Sequence, residues 1–481
     1  MAHSRFLLAI AVIGLVQRTA SDAGAQLSLR DAFAEAARAG YGNRIAGGNA
    51  AAQRAQALAP LEGILPNVRV EAGFLRTTDP TAVFGTTLRQ RGVTQASFDP
   101  ARLNYPGAAG NYQTGIVLEQ PLLNADAWTG RRAAVRAADA TRAAEQWTQL
   151  STRVDVVRAY YGAVLATERV EALRAAARAA HAHVAQAEAM VRQGLATKSD
   201  ALLASVRAGD VDAQLAEAEG AANTTRRQLA VLLGRSGDGL PNDLVQARHL
   251  PPTGRIRAEV SADTIARMPE PRADVRSATD ALAAARADAL RAKTSLVPRL
   301  NGFARYDWNS ASSLYAGDRN WTVGVMASWT PFGGAAEIAD VGATAGRAQV
   351  AEAQAEAARA NAQLEIEQTR TALAVALTRL DIAEQAVAQS AEAHRIVGRK
   401  YGGGLAGVVE LLDAQAAETQ SVLALSQARW SAIVVAAERR RALGLDPASL
   451  ASLDEAVSTV AAREMQSAAD SSPLPNEIKK P

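Results

Sequence analysis

The sequence predicts a mainly α-helical protein with two internal repeats, each of which contributes two β-strands to a membrane β-barrel. Three observations support this fold class: two long segments without proline, a turn sequence that recurs 210 positions later, and short stretches in which apolar and polar residues alternate. Aromatic residues are only 4% of the 481-residue chain while apolar residues reach 48%. This composition favours closely packed helices over a bulky globular interior.

The amino terminus has the features of an export signal. Arg5 precedes an apolar run over residues 6–16, and the small residues "AGA" end at Ala25. Such a run is too short for a membrane-spanning helix, which takes about 20 residues; a retained anchor or a buried helix is the alternative. No later stretch supplies a membrane-spanning helix. We therefore expect an exported chain that, if it spans a membrane, does so with strands.

The proline-free segments predict two helical hairpins, because proline interrupts helices. They run from Leu122 to Leu240 and from Phe332 to Asp446, and each contains one copy of the turn, "VRQGLATKSDALLAS" or "YGGGLAGVVELLDAQ". In the second segment leucine and valine recur with coiled-coil spacing at positions 373, 377, 380 and 387. An ordinary antiparallel helical hairpin would show the same local pattern.

Alternation of apolar and polar residues predicts four strands, two before each hairpin. The alternating stretches cover residues 68–74, 112–119, 300–308 and 321–330. Their aromatic residues cluster at two levels, as expected for the interfacial belts of a membrane-embedded sheet. One level holds Phe74, Tyr112, Tyr306, Trp308 and Trp321, and the other holds Trp329. A soluble sheet packed on the helices is the alternative.

Four strands cannot form a barrel alone, so the chain is expected to oligomerise. A bilayer satisfies no backbone hydrogen bonds, and strands cross it only as a closed barrel, of which the smallest have about eight strands. Two copies would provide about eight strands and three about twelve, and only the larger barrel leaves an appreciable lumen.

The composition excludes several classes of function. No cysteine is present, so disulfides, thiolate metal sites and cysteine nucleophiles are absent. The net charge of +3 arises from 52 basic and 49 acidic residues, which leaves no nucleic-acid footprint. His181 and His183 lie two apart on a predicted helix and point in different directions, so we expect solvated histidines and no metal site. The glycines at 402–404 lack the lysine of a phosphate loop. We expect neither a cofactor nor an enzyme.

Prolines and strand patterns divide the chain into segments. The predicted order is a signal peptide (1–25), amino-terminal helices (26–65), strands 1 and 2 with an extracellular loop (66–121), a first helical hairpin (122–240), an equatorial segment with a returning helix (241–297), strands 3 and 4 (298–331), a second hairpin (332–446) and a disordered tail (447–481). The tail is predicted to be disordered because it is acidic, serine-rich and ends in "SSPLPNEIKKP".

These features resemble the TolC-like family of outer-membrane efflux proteins. The resemblance runs from about Leu27 to Asp446 and includes "LSLRDAFAEAARAG", "VFGTTLRQRGVTQASFDPARLNYPGAAGNYQTGIVLEQPLL" and both copies of the turn. It implies a homotrimeric channel-tunnel, in which a twelve-stranded barrel in the Gram-negative outer membrane stands on a long coiled-coil α-helical barrel in the periplasm. The two turns would be the periplasmic tips of the hairpins.

The resemblance also implies the partners of the chain. It would be the passive exit duct of a tripartite efflux or type I secretion system, surrounded by outer-membrane lipid and exporting drugs, metal ions or proteins. A periplasmic adaptor (membrane fusion protein) and an inner-membrane pump of the RND or ABC type would deliver the substrate. Gly194, Leu195, Gly404 and Leu405 would contact the adaptor, with the glycines in the positive-φ conformation of a tight turn. A soluble periplasmic coiled-coil adaptor or scaffold is the alternative, but it leaves the apolar strand faces without a purpose.

Two carboxylates are candidates for the pore constriction. Glu410 and Asp413 lie three residues apart, so a helix places both on one face. In a trimer they would form two stacked acidic rings, which resemble the constriction of the family and favour cations. The first repeat has Asp200 and Leu203 at these positions and lacks the pair. An exposed acidic helix face is the alternative.

Asp200 and Tyr401 resemble the family's lock between hairpins, in which a phenol donates to a carboxylate and holds the entrance shut. The family pattern adds an arginine where this chain has Ala406. The closed state is therefore expected to be held differently. Nearby basic residues that could substitute are Arg192, Lys198, Arg399 and Lys400. Alternatively, Tyr401 is a packing residue at a helix end.

Overall fold

A computed structural model describes residues 27–235, 245, 247, 249–262, 271–314 and 316–454. The predicted signal peptide lies outside these residues. The helices are α1 (Leu29–Ala39), α2 (Tyr41–Gln56), α3 (Pro80–Arg89), α4 (Pro100–Asn104), α5 (Ala125–Arg192), α6 (Lys198–Leu232), α7 (Thr253–Ala262), α8 (Ala273–Thr294), α9 (Ala336–Gly402) and α10 (Val408–Ala442). The strands are β1 (Asn67–Thr77), β2 (Ala109–Leu123), β3 (Arg299–Ser310) and β4 (Asp318–Ser328).

The two repeats form matching helical hairpins, as the sequence predicts. Helices α5 and α9 have 68 and 67 residues, and each is followed by a helix of 35 residues, α6 or α10. At a rise of about 1.5 Å per residue, the longer helices extend about 100 Å. No described helix is both long and apolar enough to cross a membrane.

Glycine in the left-handed conformation ends all four hairpin helices. Gly194 and Gly404 have φ of 77° and 73°, and Gly234 and Gly444 have φ of 77° and 73° at the other helix ends. After each of the first two glycines, a leucine N–H reaches back to a carbonyl in the last turn, over 2.9 Å and 2.8 Å. This pattern of bonds satisfies carbonyls that would otherwise lack partners, and it confirms the predicted backbone conformation at both tips.

The four predicted strands are confirmed and form one antiparallel sheet in the order β1-β2-β3-β4. Val70, Ile116, Tyr306 and Trp321 lie side by side across it and share an apolar face. At the two edges of this row, Val70 is 69% exposed and Trp321 73% exposed. Both edge strands lack a second neighbour within the described part of the chain.

The opposite face of the sheet, called here the polar face, carries a network of charged side chains. Arg305 Nε donates to Asp307 Oδ1 over 2.8 Å, and its guanidinium lies 3.5 Å from Glu71. Arg69 lies 3.6 Å from Glu71 on β1. A side chain at Gly115 would lie 2.5 Å from Asp307 Oδ1, so only glycine lets the Arg305–Asp307 pair lie flat across β2.

The main apolar core lies where the middle of α5 meets α1, α10 and the carboxy-terminal turn. Tyr160, Tyr161 and Val157 of α5 are fully buried there, together with Leu29 of α1 and Ile433 of α10. Alanines fill much of the remaining contact and allow the helices to approach closely. This core therefore packs the first hairpin, through α5, against the second hairpin, through α10.

Part of the predicted disordered tail is ordered. Pro447–Ala451 form a 3₁₀ turn, and Leu450 and Leu453 are buried in the main core. The Asp454 carboxylate accepts hydrogen bonds from Leu29 N and from the Tyr160 hydroxyl, each over 2.9 Å. The prediction of disorder is wrong for residues 447–454. Their apolar residues pack in the main core, whereas the sequence after them is polar. Residues 455–481 lie outside the described residues.

Candidate channel entrance at the hairpin tips

The two hairpin turns differ in how their second helix begins. In the first turn, Thr197 Oγ1 accepts from Asp200 N over 3.3 Å, and Asp200 Oδ2 accepts from Thr197 N and Oγ1 over 2.9 Å each. This reciprocal capping box satisfies free N–H groups at the start of α6. In the second turn Gly407 occupies the N-cap of α10 and supplies no side-chain acceptor. The first tip is therefore the more firmly fixed.

An apolar cluster joins the two hairpins just behind the tips. Its buried members come from α5, α6, α9 and α10, and they define the tip cluster: Ala187, Ala204, Tyr401, Val408, Leu411 and Leu412. Ala406, at the position of the family's arginine, is partly buried against this cluster. A small apolar side chain thus packs where the family pattern has a long cation.

Tyr401 and Asp200 are brought close together without a hydrogen bond between them. The Tyr401 hydroxyl is buried and has no partner among the described residues, while Asp200 serves the capping box of Thr197. Burial of the phenol, and next the negative charge of Asp200, raise the pKa of Tyr401. A buried hydroxyl without a partner costs about 1–3 kcal/mol. The lock remains a prediction, and in this chain its phenol also packs in the tip cluster.

Glu410 and Asp413 lie on one exposed face of α10. Leu411 and Leu412, on the other face, are buried in the tip cluster and fix the rotation of the helix. Within the described residues, neither carboxylate accepts a hydrogen bond or pairs with a cation. Arg207 of α6 and Asp413 line one cavity without an ion pair between them. The role of the two carboxylates in a constriction stays a prediction.

The basic residues near the tips remain exposed. Arg192 lies 4.0 Å from Glu188 on its own helix, while Lys198, Arg399 and Lys400 are exposed. Because Ala406 and Tyr401 already pack in the tip cluster, the apolar contacts join the hairpins without an arginine at position 406.

A pair of histidines connects the hairpins farther from the tips. The rings of His183 on α5 and His394 on α9 lie 6.2 Å apart, edge to face, and His394 Nδ1 contacts Glu418 on α10. His183 Nε2 is buried without a partner among the described residues, and burial, followed by the charge of His394, lowers the pKa of His183. His181 instead lies on the surface, 3.0 Å from Asp212.

The expectation that both helical histidines are solvated is therefore wrong for His183. Sequence reasoning missed this contact because 211 positions separate His183 from His394, and neither lies at an equivalent place in the repeat. No group of residues suited to a metal ion occurs in the described ranges.

The fold and the tips define a class of protein: a two-repeat helical hairpin protein whose sheet has one apolar and one polar face. The profile of the outer membrane efflux protein family matches residues 49–235 and 265–445. The chain therefore belongs to the outer membrane efflux protein family.

Solved channels share this fold at low sequence identity. The outer membrane channel CmeC of Campylobacter jejuni matches with a TM-score of 0.70 and 16% identity, covering 86% of this chain and 85% of CmeC. The outer membrane protein VceC of Vibrio cholerae matches with a TM-score of 0.70 and 19% identity, over 86% and 96% of the two chains. The open-state channel MtrE of Neisseria gonorrhoeae matches with a TM-score of 0.67 and 20% identity, over 87% and 89%. A search of curated proteins finds no significant match.

Family membership defines the general role of the protein. It is an efflux channel of the Gram-negative outer membrane, with its helical hairpins in the periplasm, and it is not an enzyme.

Proposed function

We propose that three copies of the chain form a passive exit duct for substrates that an inner-membrane pump delivers through a periplasmic adaptor. The observation that carries this proposal is the sheet: it has one exposed apolar face, one polar face, and two edge strands that have no outer neighbour among the described residues. In a bilayer these edges must be paired. Joining β4 of one copy to β1 of the next closes a barrel of about twelve strands, which is wide enough for a lumen.

The polar face would line this lumen. Its arginines and carboxylates are paired with each other, so they present a hydrated and nearly balanced wall to the substrate. Gly115 keeps one such pair flat against the strands. A wall of this kind binds no substrate tightly, which suits a duct that must release what it receives.

The hairpin tips would receive the adaptor. Leu195 and Leu405 are 69% and 81% exposed, and the space around Gly194 and Gly404 is open enough for another chain to approach the backbone. Exposed leucines beside accessible backbone are suited to an apolar protein contact. Because no nucleotide site is evident in the sequence, energy would come from the pump, of the RND or ABC type.

The entrance would lie at the same tips. Three copies of Glu410 and Asp413 would form stacked acidic rings that admit cations and repel anions. The tip cluster, which includes Tyr401, would hold the two hairpins of each copy together in the closed state, with Asp200 beside the phenol.

Purification in detergent followed by recording in planar bilayers tests the proposal. We expect a trimer that opens cation-selective channels, and a salt wash alone should not release it from membranes. A water-soluble single chain that forms no channels would contradict the proposal.

A further inference from the structure

We infer that α3 narrows the outer mouth of the duct, held across the lumen-facing side of the sheet by Gln90 and Arg91. The inference rests on the proposed trimeric duct. Helix α3 belongs to the outer loop, defined as residues 78–108 between β1 and β2. This loop lies at the end of the sheet opposite the helical hairpins, because the hairpin helices join the strands at their other ends.

A chain of amide hydrogen bonds anchors the end of α3 to the sheet. Gln90 Nε2 donates to Gly110 O over 2.9 Å and to Asn111 Oδ1 over 2.8 Å. Asn111 Nδ2 donates in turn to Asn309 Oδ1 over 2.8 Å. Asn111 is 4% exposed and Asn309 1% exposed. Hydrogen bonds between buried amides hold a contact firmly, because breaking them leaves polar groups without partners and away from water.

These anchors lie on the polar face. Asn309 is directly opposite Gln113 on β2 and Asp318 on β4, and Asn111 lies two residues from Gln113 on the same side of β2. The end of α3 is thus attached to polar-face side chains, not to the lipid-facing side. Since the polar face lines the proposed lumen, each copy places α3 over the opening.

Arg91 makes the attachment unusual. It has a φ of 51°, and Gly92 N donates to Thr87 O over 2.9 Å, which is the same helix ending as at the hairpin tips. At the hairpin helices glycine takes the left-handed position, whereas here arginine takes it although a glycine follows at once. A left-handed residue with a side chain costs about 1–2 kcal/mol.

The Arg91 side chain extends from the end of α3 to β4. Arg91 Nε lies 3.4 Å from Asp318 Oδ1 on the polar face of β4. The Arg91 side chain is 71% exposed and that of Asp318 42%, so the pair contributes at most about 1 kcal/mol and does not offset the backbone strain. Strain that stability does not explain points to function. Arg91 ties α3 to β4, while Gln90 ties it to β2 and, through Asn111, to β3.

The outer loop is itself a packed unit and can act as a fixed obstacle. Asp79 Oδ1 caps α3 by accepting from Ala82 N over 2.7 Å. Phe84 and Phe98 pack edge to face with ring centroids 6.0 Å apart. Three such units around one opening would exclude large solutes from outside the cell while small substrates leave.

Loosening both attachments tests the inference. Gln90→Ala with Arg91→Gly removes the amide anchor and the ion pair and also relieves the backbone strain. We expect trimers of normal thermal stability whose single-channel conductance rises about twofold or more, and cells that become sensitive to vancomycin, a large hydrophilic antibiotic. Asp318→Asn removes the ion pair without changing the loop and should give a smaller rise.

Two controls separate a constriction from a general loss of structure. Arg89→Ala removes a neighbouring exposed charge and should leave conductance unchanged. The exchange Arg91→Asp with Asp318→Arg restores an ion pair with reversed charges, and aspartate also tolerates the left-handed conformation. Its conductance should therefore lie closer to the wild-type value than that of Asp318→Asn. Conducting trimers in which the loosened variant matches the wild type would overturn the inference alone. A wild type without conducting trimers would overturn the proposed duct and this inference with it.

Discussion

Truncation of Leu411 tests how the two hairpins are held together at the entrance. Leu411 lies on α10 in the centre of the tip cluster and is 2% exposed, whereas Val409 on the same helix is 49% exposed. Leu411→Ala removes contacts with both hairpins and leaves a cavity, which costs about 2–5 kcal/mol for a buried leucine. Val409→Ala removes an exposed side chain and should cost about 0.5 kcal/mol or less.

The stability lost in Leu411→Ala should appear as separation of the two hairpin tips. The population of separated tips rises tenfold for about every 1.4 kcal/mol lost, so we expect an increase of tenfold or more in Leu411→Ala. Amide hydrogen exchange over residues 397–412 measures it directly, and channel opening in planar bilayers reports its functional consequence. The main core lies far from the tips along the helices, so amide hydrogen exchange at Tyr160 should stay unchanged.

Equal exchange and equal opening in Leu411→Ala and Val409→Ala would refute this reasoning. It would mean that contacts outside the tip cluster hold the hairpins together.

Three further predictions concern other parts of the chain. Glu410→Ala with Asp413→Ala should lower the cation preference of the channel, and unchanged reversal potentials would reject the acidic rings. Because the pKa of His183 is lowered in the fold, the unfolded or separated state takes up the proton first, so stability should fall as the pH drops below about 6.5. His183→Gln should flatten this dependence in melting curves between pH 7 and pH 5, and an unchanged slope would exclude His183 as its source. Asp454→Ala removes the acceptor of the Leu29 N–H and leaves the Tyr160 hydroxyl with its bond to Leu27 O, so it should cost about 1–3 kcal/mol, seen as faster amide hydrogen exchange at Tyr160 and contradicted by unchanged exchange.

The regular elements could be predicted because local patterns determine them. Alternation specified all four strands, since a strand with one apolar and one polar face has a period of two. Absence of proline and the recurring glycine specified the hairpins and their turns. Gly194 and Gly404 have no side chain and follow directly after a long helical segment, so the left-handed helix ending is open to them at little cost.

The contacts between distant segments could not be predicted in this way. His183 meets His394 only because α5 packs against the second hairpin, and no local pattern records that packing. The capping box of Asp200 does have a local signal, because "ATKSD" places Asp200 three residues after Thr197. The ion pair of Arg91 is with Asp318, which is far away in the sequence, and the order of residues 447–454 depends on Tyr160.

The most direct test of the account is the arrangement of copies in the purified protein, determined by electron cryomicroscopy in detergent or lipid. The account predicts three copies around one axis, with β4 of each hydrogen-bonded to β1 of the next in a closed barrel of about twelve strands. A particle in which β1 and β4 remain unpaired edges would contradict it.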